Sequence, residues 1–307
     1  MKQKLIVIAG PTASGKTACA VALARRLGGE VISADSMQIY RGMELLSAAP
    51  TPEEQGGIPH HLLGVADPSQ RFTASMFREK AACAVREIAG RGNAPIVCGG
   101  TGLYIDALTR PMSFSVQADP ALHEALMARA DEPGGPGALH EELEEVDPEA
   151  AARLHVNDVR RVVRALEIYR LTGIPQSEHM RRDAARPGDY DERIYALDWP
   201  REALYRRIDL RVDDMVARGL VETVRKLHDQ RERFPTAEQA IGYKEIVDHL
   251  EGFSTLDEAV ARVKQATRNF AKRQLTWFRR DKRTQWIKAE GKTAEAIAEE
   301  IIGRLND

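Results

Sequence analysis

The sequence has little of what several classes of protein require. Cysteine occurs only three times in 307 residues, at Cys19, Cys83 and Cys98, with no CxxC pair and no histidine at metal-binding spacing. We therefore expect three reduced thiols in or near the core, and neither a structural metal nor a disulfide. No apolar run approaches the roughly 20 residues that span a bilayer, and no targeting segment precedes the first strand. We expect a cytoplasmic protein with no membrane partner.

Charge of one sign is also not in excess, since the formal net charge is −2. The charges are nevertheless unevenly placed along the chain. Residues 119–150 contain ten acids and one arginine, whereas residues 262–283 contain nine Lys or Arg and one aspartate. Such a chain can present a basic face to a polyanion while its total charge stays near zero.

Short apolar runs alternate with helical patterns over the first hundred residues. The runs "KLIVIAG", "EVISAD" and "APIVCGG" predict buried strands, and the segments between them predict helices. Strands separated by helices favour right-handed βαβ units and a parallel sheet with helices on both faces. We predict an α/β fold whose ligand sites lie at the carboxyl ends of the strands.

The pattern changes near residue 112. From there to residue 189 the sequence predicts only helices, with Asp or Asn caps and Pro in the first turn. A strand, "ERIYALDWP", then follows, and amphipathic helices occupy the rest of the chain. We predict a core domain of residues 1–112 and 190–307, with C-terminal helices, and a helical insertion domain of residues 113–189.

The segment "GPTASGKT" follows the first strand and matches the pattern G-x-x-x-x-G-K-[ST] without a gap. Its glycines let backbone N–H groups converge on an anion, and the next helix adds its positive end. Lys16 can reach the terminal phosphate, and Thr17 can offer its hydroxyl to Mg²⁺. We predict a P-loop NTPase-like core with a diphosphate site at Gly10, Pro11, Thr12, Ala13, Ser14, Gly15, Lys16 and Thr17.

Two other strand ends also carry chemistry. Asp35 follows the second strand and can hold metal-bound water or accept a proton, and a helix N-cap is the less favoured alternative. The third strand ends in "GGTGLY", where three glycines permit close backbone approach and Thr101 offers a hydroxyl, although a structural turn is the alternative. No acid follows "PIVC", which weakens the case for a water-activating NTPase.

Two helical segments are rich in arginine and lysine. "NDVRRVVRALEIYR" and "KQATRNFAKRQLTWFRRDKR" are each typical of a solvated helix face, but the second interleaves its cations with Phe270, Trp277 and Phe278. A track for a phosphate backbone is therefore a serious alternative. The pair Arg206–Arg207 can cap bound phosphates or lie on an exposed helix face.

Seven segments in order resemble the bacterial tRNA dimethylallyltransferases over about residues 4–287. They are "GPTASGKT", "SADSMQIYRGM", "GGTGLY", "NDVRRVVRALE", "YRRIDLRVDDMVARGL", "IGYKE" and "TRNFAKRQLTWFRR". The resemblance implies transfer of the dimethylallyl group of dimethylallyl diphosphate to N6 of the adenosine 3′-adjacent to the anticodon, in tRNAs that read U-initial codons. It also implies Mg²⁺, release of diphosphate, a monomer, and an insertion domain that closes over the anticodon stem-loop.

The same resemblance implies roles for single residues. Asp35 is the expected base for the adenine amine, and Lys16, Thr101 and Arg207 are expected to stabilise the departing diphosphate. The expected tRNA contacts are Asp35, Ser36, Met37, Gln38, Thr101, His123, Val159, Arg160, Arg161, Val162, Val163, Ile241, Gly242, Tyr243 and Lys244.

The chain departs from the family pattern in three places. After "YRGM" the family usually continues as DIGTAKP, whereas this chain has "ELLSAAP", which loses a glycine and replaces the lysine with Ala49. His123 stands where an arginine is more frequent, so a contact there can depend on pH. The C-terminal zinc finger of eukaryotic relatives is missing from the sequence, which favours the bacterial branch.

Two rival functions share parts of this pattern. A P-loop kinase for a nucleoside or small metabolite would also place an aspartate after its second strand, but it would not need nine cations on a helix with aromatic residues. An RNA-binding NTPase switch would need an acid after "PIVC". ATP can bind the loop, although we do not expect it to be consumed.

Overall fold

A computed structural model of the chain describes residues 2–114, 116 and 119–306. The chain divides into two compact units, one made of Met1–Thr109 with Tyr190–Asp307 and the other of Arg110–Asp189. Over the described residues, no helix combines the length and the apolar character needed to cross a membrane.

The first unit is built on a parallel sheet, which confirms the predicted α/β fold. Its six strands are β1 Gln3–Ala9, β2 Gly29–Ser33, β3 His60–His61, β4 Ala94–Gly99, β5 Tyr190–Asp198 and β6 Thr284–Lys288. They lie in the order β3-β2-β4-β1-β5-β6. The two edge strands were not predicted, because β3 has only two residues and β6 has a single fully buried residue, Ile287.

Helices cover both faces of this sheet. They are α1 Lys16–Leu27, α2 Pro52–Gln55, α3 Ala74–Gly90, α4 Gly102–Thr109, α10 Arg201–Ala217, α11 Leu220–Asp229, α12 Tyr243–Leu250, α13 Leu256–Arg280 and α14 Ala294–Asn306. One core, beneath α1 and α14, contains Ile8, Leu23 and Ile301, and the other contains Val7, Phe77 and Tyr104. Because β1 is buried between them, its carboxyl end holds the following loop firmly.

The second unit is entirely helical over its described residues. Its helices are α5 Pro120–Asp131, α6 Gly135–Val146, α7 Pro148–Arg153, α8 Val159–Thr172 and α9 Gln176–Ala184. Asp119 and Asp147 cap α5 and α7 through their side chains, each followed by a proline at the first helical position, as predicted. A separate core that includes Leu126, Leu143 and Leu166 holds the unit together.

The cysteines only partly follow the sequence prediction. Cys19 and Cys98 are buried, and burial raises the pKa of these thiols to about 12 and about 11. Cys83, predicted to lie in or near the core, is exposed instead. It falls outside the apolar stripe by which α3 packs, and its Sγ lies 3.3 Å from Oε1 of Glu87.

Candidate functional site

The segment Gly10–Thr17 forms the turn between the end of β1 and the start of α1. The φ angles of 137° at Gly10 and 90° at Gly15 lie in the left-handed region that favours glycine. The residues from Thr12 to Thr17 line a large cleft, whereas Gly10 and Pro11 are buried. The sequence-predicted phosphate loop is thus one continuous turn at a buried strand end.

The cleft has a volume of about 910 Å³. Its lining includes Ser33, the last residue of β2, Asp35 just after that strand, and Cys98 and Gly99 at the end of β4. Other lining residues come from α10, from Gln274 of α13, from Thr223 of α11, and from the loop of residues 42–51 with the start of α2. The cleft therefore opens at the carboxyl edge of the sheet, where ligands of such sheets bind.

Lys16 stands at the start of α1 with its ammonium turned back over the loop. Its Nζ donates a hydrogen bond of 2.6 Å to the carbonyl oxygen of Pro11. Burial lowers the pKa of Lys16 from 10.5 to about 8, and the nearby positive charge of Arg211 acts in the same direction. An anion bound in the cleft would offset the free-energy cost of burying this ammonium group, because it would interact with a poorly solvated positive charge.

Two arginines of α10, one turn apart, contact the loop. Nε of Arg207 donates to the carbonyl oxygen of Ala13 at 2.8 Å, and its guanidinium lies 4.4 Å from the centre of the Trp199 ring. Nη1 of Arg211 donates to Oγ1 of Thr12 at 3.2 Å. The sequence motifs indicated Arg207 but not Arg211, although the spacing of four residues on a helix was the available signal.

Arg206, the other member of the predicted pair, does not share this position. Its side chain is exposed, and among the described residues it is not part of the cleft wall. Of the two alternatives left open for this pair, phosphate capping thus suits Arg207, and an exposed helix face describes Arg206.

Asp35 caps a turn rather than a helix, and its carboxylate also reaches the cleft. Its Oδ1 accepts hydrogen bonds from the backbone N–H of Met37 at 2.9 Å and of Gln38 at 3.3 Å, so it caps the turn after β2. The carboxylate nevertheless lines the cleft, and among the described residues no hydrogen bond reaches its Oδ2. Capping orients the side chain and leaves one oxygen for a ligand.

The residues after Asp35 divide between the cleft and the interior. The backbone N–H of Ser36 donates to Oγ1 of Thr101 at 3.0 Å, which joins the ends of β2 and β4. Gln38 lines the cleft, and its Nε2 donates to the carbonyl oxygen of Ala48 at 3.3 Å. Met37 packs against the hydrophobic core.

The "ELLSAAP" departure forms a loop on the cleft wall. The carbonyl oxygen of Ala48 also accepts a hydrogen bond of 2.9 Å from Arg211, and Ala49 lines the cleft where the family pattern has lysine. Leu46 is 4% exposed and packs in the core. The leucine that replaces the family glycine is therefore accommodated by burial.

Glycines of the "GGTG" turn are required for close packing. An added Cβ at Gly100 would lie 2.1 Å from Nε2 of Gln274, and one at Gly102 would lie 2.3 Å from Cδ1 of Trp277. Both contacts come from α13, so this helix closes directly over the turn. These contacts fit the alternative of a structural turn, and a ligand contact at this turn stays a prediction. Gln274 was not found from the sequence.

The "IGYK" residues lie at the start of α12, and they are absent from the cleft wall among the described residues. Ile241 is half-buried, Gly242 is the N-cap with a φ of 101°, and Lys244 is exposed. Tyr243 is 3% exposed and its hydroxyl lies 3.1 Å from Nδ1 of His228. Its side chain is part of the core, so the expectation of a tRNA contact from it does not fit this position.

The predicted residues of the helical unit lie on two sides of α8. Arg160 and Arg161 are exposed, and Nη1 of Arg161 pairs with Asp158 at 2.9 Å. Val159 is half-buried, whereas Val162 and Val163 are fully buried. These last two side chains form the apolar stripe that packs α8 against its neighbours, and the tRNA contact expected at their positions stays a prediction.

His123 also has a protein partner within that unit. Its Nδ1 lies 2.5 Å from Oε1 of Glu167, a carboxylate that is only 1% exposed. Arg164 contacts the same carboxylate at 3.0 Å. His123 remains half-exposed, so this pair leaves one edge of the ring towards solvent.

The nine cations of residues 262–283 are not all available to a ligand. Arg262, Lys264, Arg268 and Arg283 form ion pairs with aspartate or glutamate side chains. Among the described residues no ion pair is found for the other five, which are exposed. These five, the unpaired cations, are Lys272, Arg273, Arg279, Arg280 and Lys282.

Comparison with known proteins identifies relatives over nearly the whole chain. Family models match at residues 38–281, described as IPP transferase, and at residues 3–64, described as isopentenyl transferase. A tRNA dimethylallyltransferase of Carboxydothermus hydrogenoformans is 45% identical over 303 residues, covering 98% of this chain and 97% of the relative.

Two solved structures share the fold. The full-length tRNA isopentenylpyrophosphate transferase of Bacillus halodurans gives a TM-score of 0.73 at 43% identity, covering 99% of this chain and 97% of that one. A eukaryotic dimethylallyltransferase acting on tRNA gives a TM-score of 0.85 at 30% identity, covering 99% of this chain and 79% of that one.

Proposed function

Because this chain belongs to the IPP transferase family, whose full-length relatives are tRNA dimethylallyltransferases, we propose that its cleft joins a dimethylallyl group to an adenosine of tRNA. The resemblance drawn from seven ordered motifs is confirmed, and the chain is a transferase that attaches the dimethylallyl group to tRNA. One observation supports this use of the cleft above others: Lys16 of the phosphate loop and Asp35 line the same cavity.

The phosphate loop would bind the diphosphate of dimethylallyl diphosphate. Negative charge grows on this group as the allylic C–O bond breaks. Lys16, Arg207 and Arg211 all lie at the loop. Lys16 and Arg211 are poorly solvated and would interact strongly with that charge, whereas Arg207 is more exposed and would contribute from the outer side of the loop. The loop amides and the positive end of α1 add to the same effect.

Mg²⁺ fits the oxygen donors of this cleft. In the part of the chain that the structure describes, no three His, Cys, Asp or Glu side chains form a metal site. Mg²⁺ commonly binds through one or two protein oxygens together with substrate phosphates, and Thr17 and Asp35 both line the cleft. Thr17 would hold the ion with the diphosphate, where it would neutralise part of the leaving-group charge.

Asp35 would act on the acceptor. The exocyclic amine of adenine is a weak nucleophile because its lone pair is delocalised into the ring, so a base that removes a proton as the C–N bond forms is useful. Oδ2 of Asp35 is the oxygen available for this role, because Oδ1 caps the turn. Thr101 is joined to this segment by the hydrogen bond that its Oγ1 accepts from the backbone N–H of Ser36, the residue after Asp35. We assign the acceptor as N6 of the adenosine 3′-adjacent to the anticodon, which must leave its stack to enter the cleft.

Binding of the anticodon stem-loop would use the exposed cations. The unpaired cations of α13 and its C-terminal end are candidates in the first unit, together with Lys244. Arg160, Arg161 and His123 are candidates in the helical unit, whose proposed role is to close over the stem-loop. Phosphate contacts of this kind make affinity depend strongly on salt.

We further propose that the protein acts as a cytoplasmic monomer. The described cysteines are all free thiols, as in reducing compartments, and a single chain supplies both the phosphate loop and the candidate base.

A transfer assay tests the proposal directly. The protein is mixed with Mg²⁺, unmodified tRNA that reads U-initial codons, and either dimethylallyl diphosphate or ATP. We expect the tRNA to gain one dimethylallyl unit with release of pyrophosphate. Phosphate transfer from ATP, with unchanged tRNA, would instead favour the kinase alternative.

Substitution of cations tests the tRNA track. Arg279→Gln combined with Arg280→Gln should raise the KM for tRNA and reduce the salt slope of tRNA binding by about 1–2, while dimethylallyl diphosphate binding is unchanged. Arg225→Gln with Lys226→Gln is the matched control, because these exposed cations of α11 are paired with Glu222. Equal salt slopes for the two double variants would contradict the track.

A further inference from the structure

We propose that Gln274 is a positioning residue that fixes the phosphate loop against the "GGTG" turn through its side-chain amide. The inference rests on the proposed function, because it concerns the alignment of the two substrates in the cleft. Gln274 lies on the buried side of α13, at 5% exposure, far along the chain from both segments that it joins.

The amide uses both of its ends within the protein. Its Oε1 accepts a hydrogen bond of 2.8 Å from the backbone N–H of Thr12, in the phosphate loop. Its Nε2 donates a hydrogen bond of 3.0 Å to the carbonyl oxygen of Gly100. The orientation is unique, since a backbone N–H only donates and a carbonyl only accepts.

Gly100 is adapted to this contact. A Cβ there would lie 2.1 Å from Nε2 of Gln274, so the amide can approach only a glycine. The next residue is Thr101, whose hydroxyl holds the N–H of Ser36 at 3.0 Å beside Asp35. One side chain therefore connects the diphosphate side of the cleft with the acceptor side.

The consequence is mechanical. The loop follows β1 and the turn follows β4, which are neighbouring strands, and the amide sets the spacing of the two segments beyond the sheet. A misplacement of about 1 Å between reacting groups can cost about 100-fold in rate. Loss of the amide also leaves the Thr12 N–H and the Gly100 carbonyl without their partner.

The first test replaces Gln274 with an apolar residue of similar length. Gln274→Met should lower kcat by about 10- to 100-fold and weaken pyrophosphate binding by about 3- to 10-fold. The KM for tRNA should stay within about twofold, because the side chain is buried. Gln265→Met is the matched control, since the Gln265 side chain is exposed on the same helix and donates to Oδ1 of its helix neighbour Asn269 at 3.1 Å.

The second test restores the hydrogen-bond pattern by protonation. In Gln274→Glu, an ionised carboxylate can accept from Thr12 but repels the Gly100 carbonyl, whereas the protonated acid can accept and donate as the amide does. Burial and this repulsion hold the carboxyl pKa above its ordinary value of about 4.3. Pyrophosphate affinity and kcat, each relative to the unaltered protein, should therefore recover as pH falls from 8 to about 5.5, and Gln274→Met should show no recovery.

Each outcome decides the proposal. If Gln274→Met matches Gln265→Met in pyrophosphate affinity and kcat, or if Gln274→Glu stays equally impaired at every pH, the positioning role is overturned. The pH dependence of the glutamate variant decides the matter if the methionine variant does not fold. Failure of the unaltered protein to transfer dimethylallyl groups would refute the proposed function alone. Pyrophosphate binding needs no tRNA, so the positioning role would then be decided by the pyrophosphate affinities of the variants.

Discussion

The reduced pKa of Lys16 makes diphosphate binding sensitive to pH in a range where most lysines stay charged. Burial lowers this pKa from 10.5 to about 8, and Nζ is held by the Pro11 carbonyl at 2.6 Å. Because the pKa is lowered, the positive charge is present below about pH 8 and is lost as pH rises. Affinity for the diphosphate should therefore decline on the alkaline side.

The size of the effect follows from the titration. With a pKa of about 8, roughly nine-tenths of the molecules carry a charged Lys16 at pH 7 and roughly one-tenth at pH 9. If the diphosphate requires the charged form, the dissociation constant rises about tenfold between these pH values, or about 1.4 kcal/mol. In Lys16→Arg the guanidinium stays charged throughout, so this change should be nearly absent.

Calorimetric titration with an unreactive thiolo analogue of dimethylallyl diphosphate, from pH 6.5 to 9.5, measures the dissociation constant for the unaltered protein and for Lys16→Arg. The ligand ionises identically in each series, so the difference between them isolates Lys16. Lys226→Arg is the control, since that lysine is 71% exposed on α11 and should leave the unaltered pH dependence in place. An affinity that declines equally in the unaltered protein and in Lys16→Arg would refute the reasoning.

Three other substitutions test separate parts of the argument. Asp35→Asn keeps the turn cap, because an amide oxygen also accepts a hydrogen bond, yet it should lower the rate of single-turnover transfer by about 10²- to 10⁴-fold. The control Asp67→Asn, at an equivalent exposed cap, should leave this rate unchanged. A near-normal rate for Asp35→Asn would exclude a base role. Gly100→Ala should lower the free energy of unfolding in urea by about 1–3 kcal/mol, because the added methyl group would collide with α13. The control Gly303→Ala, in open space on α14, should be neutral or stabilising. Equal effects of the two substitutions would contradict close packing at Gly100. Hydrogen bonds to its arginine and asparagine neighbours lower the pKa of Glu30 to about 2, so Glu30→Gln should cost about 2–3 kcal/mol at pH 7. Because that contribution is present above pH 4.5 and lost as pH falls towards 2, the difference from the unaltered protein should narrow in acid; a constant difference would refute the ion-pair explanation.

Local sequence patterns predicted most of the elements that build the cleft. The phosphate loop was recognisable because its glycines, its lysine and its flanking strand and helix are contiguous. The parallel sheet followed from the alternation of apolar runs with helical segments. Strand ends then identified Asp35 and Thr101, because parallel strands bring their carboxyl ends to one edge. Cys83 was wrongly expected in or near the core, and the burial of Tyr243 was not foreseen, because burial depends on the neighbours that an element meets.

The sequence by itself determined the fold class, the phosphate loop, the family and the main candidate residues, since each depends on residues close together in the chain or on motifs in a fixed order. Only the tertiary structure decided which side chains reach the loop from a distance. Arg211 and Gln274 contact Thr12 across 199 and 262 residues. It also separated the paired from the unpaired cations of α13. The physical reason is the same in each case: hydrogen bonds and ion pairs depend on distances of about 3 Å, and sequence spacing carries no information on such distances between remote segments.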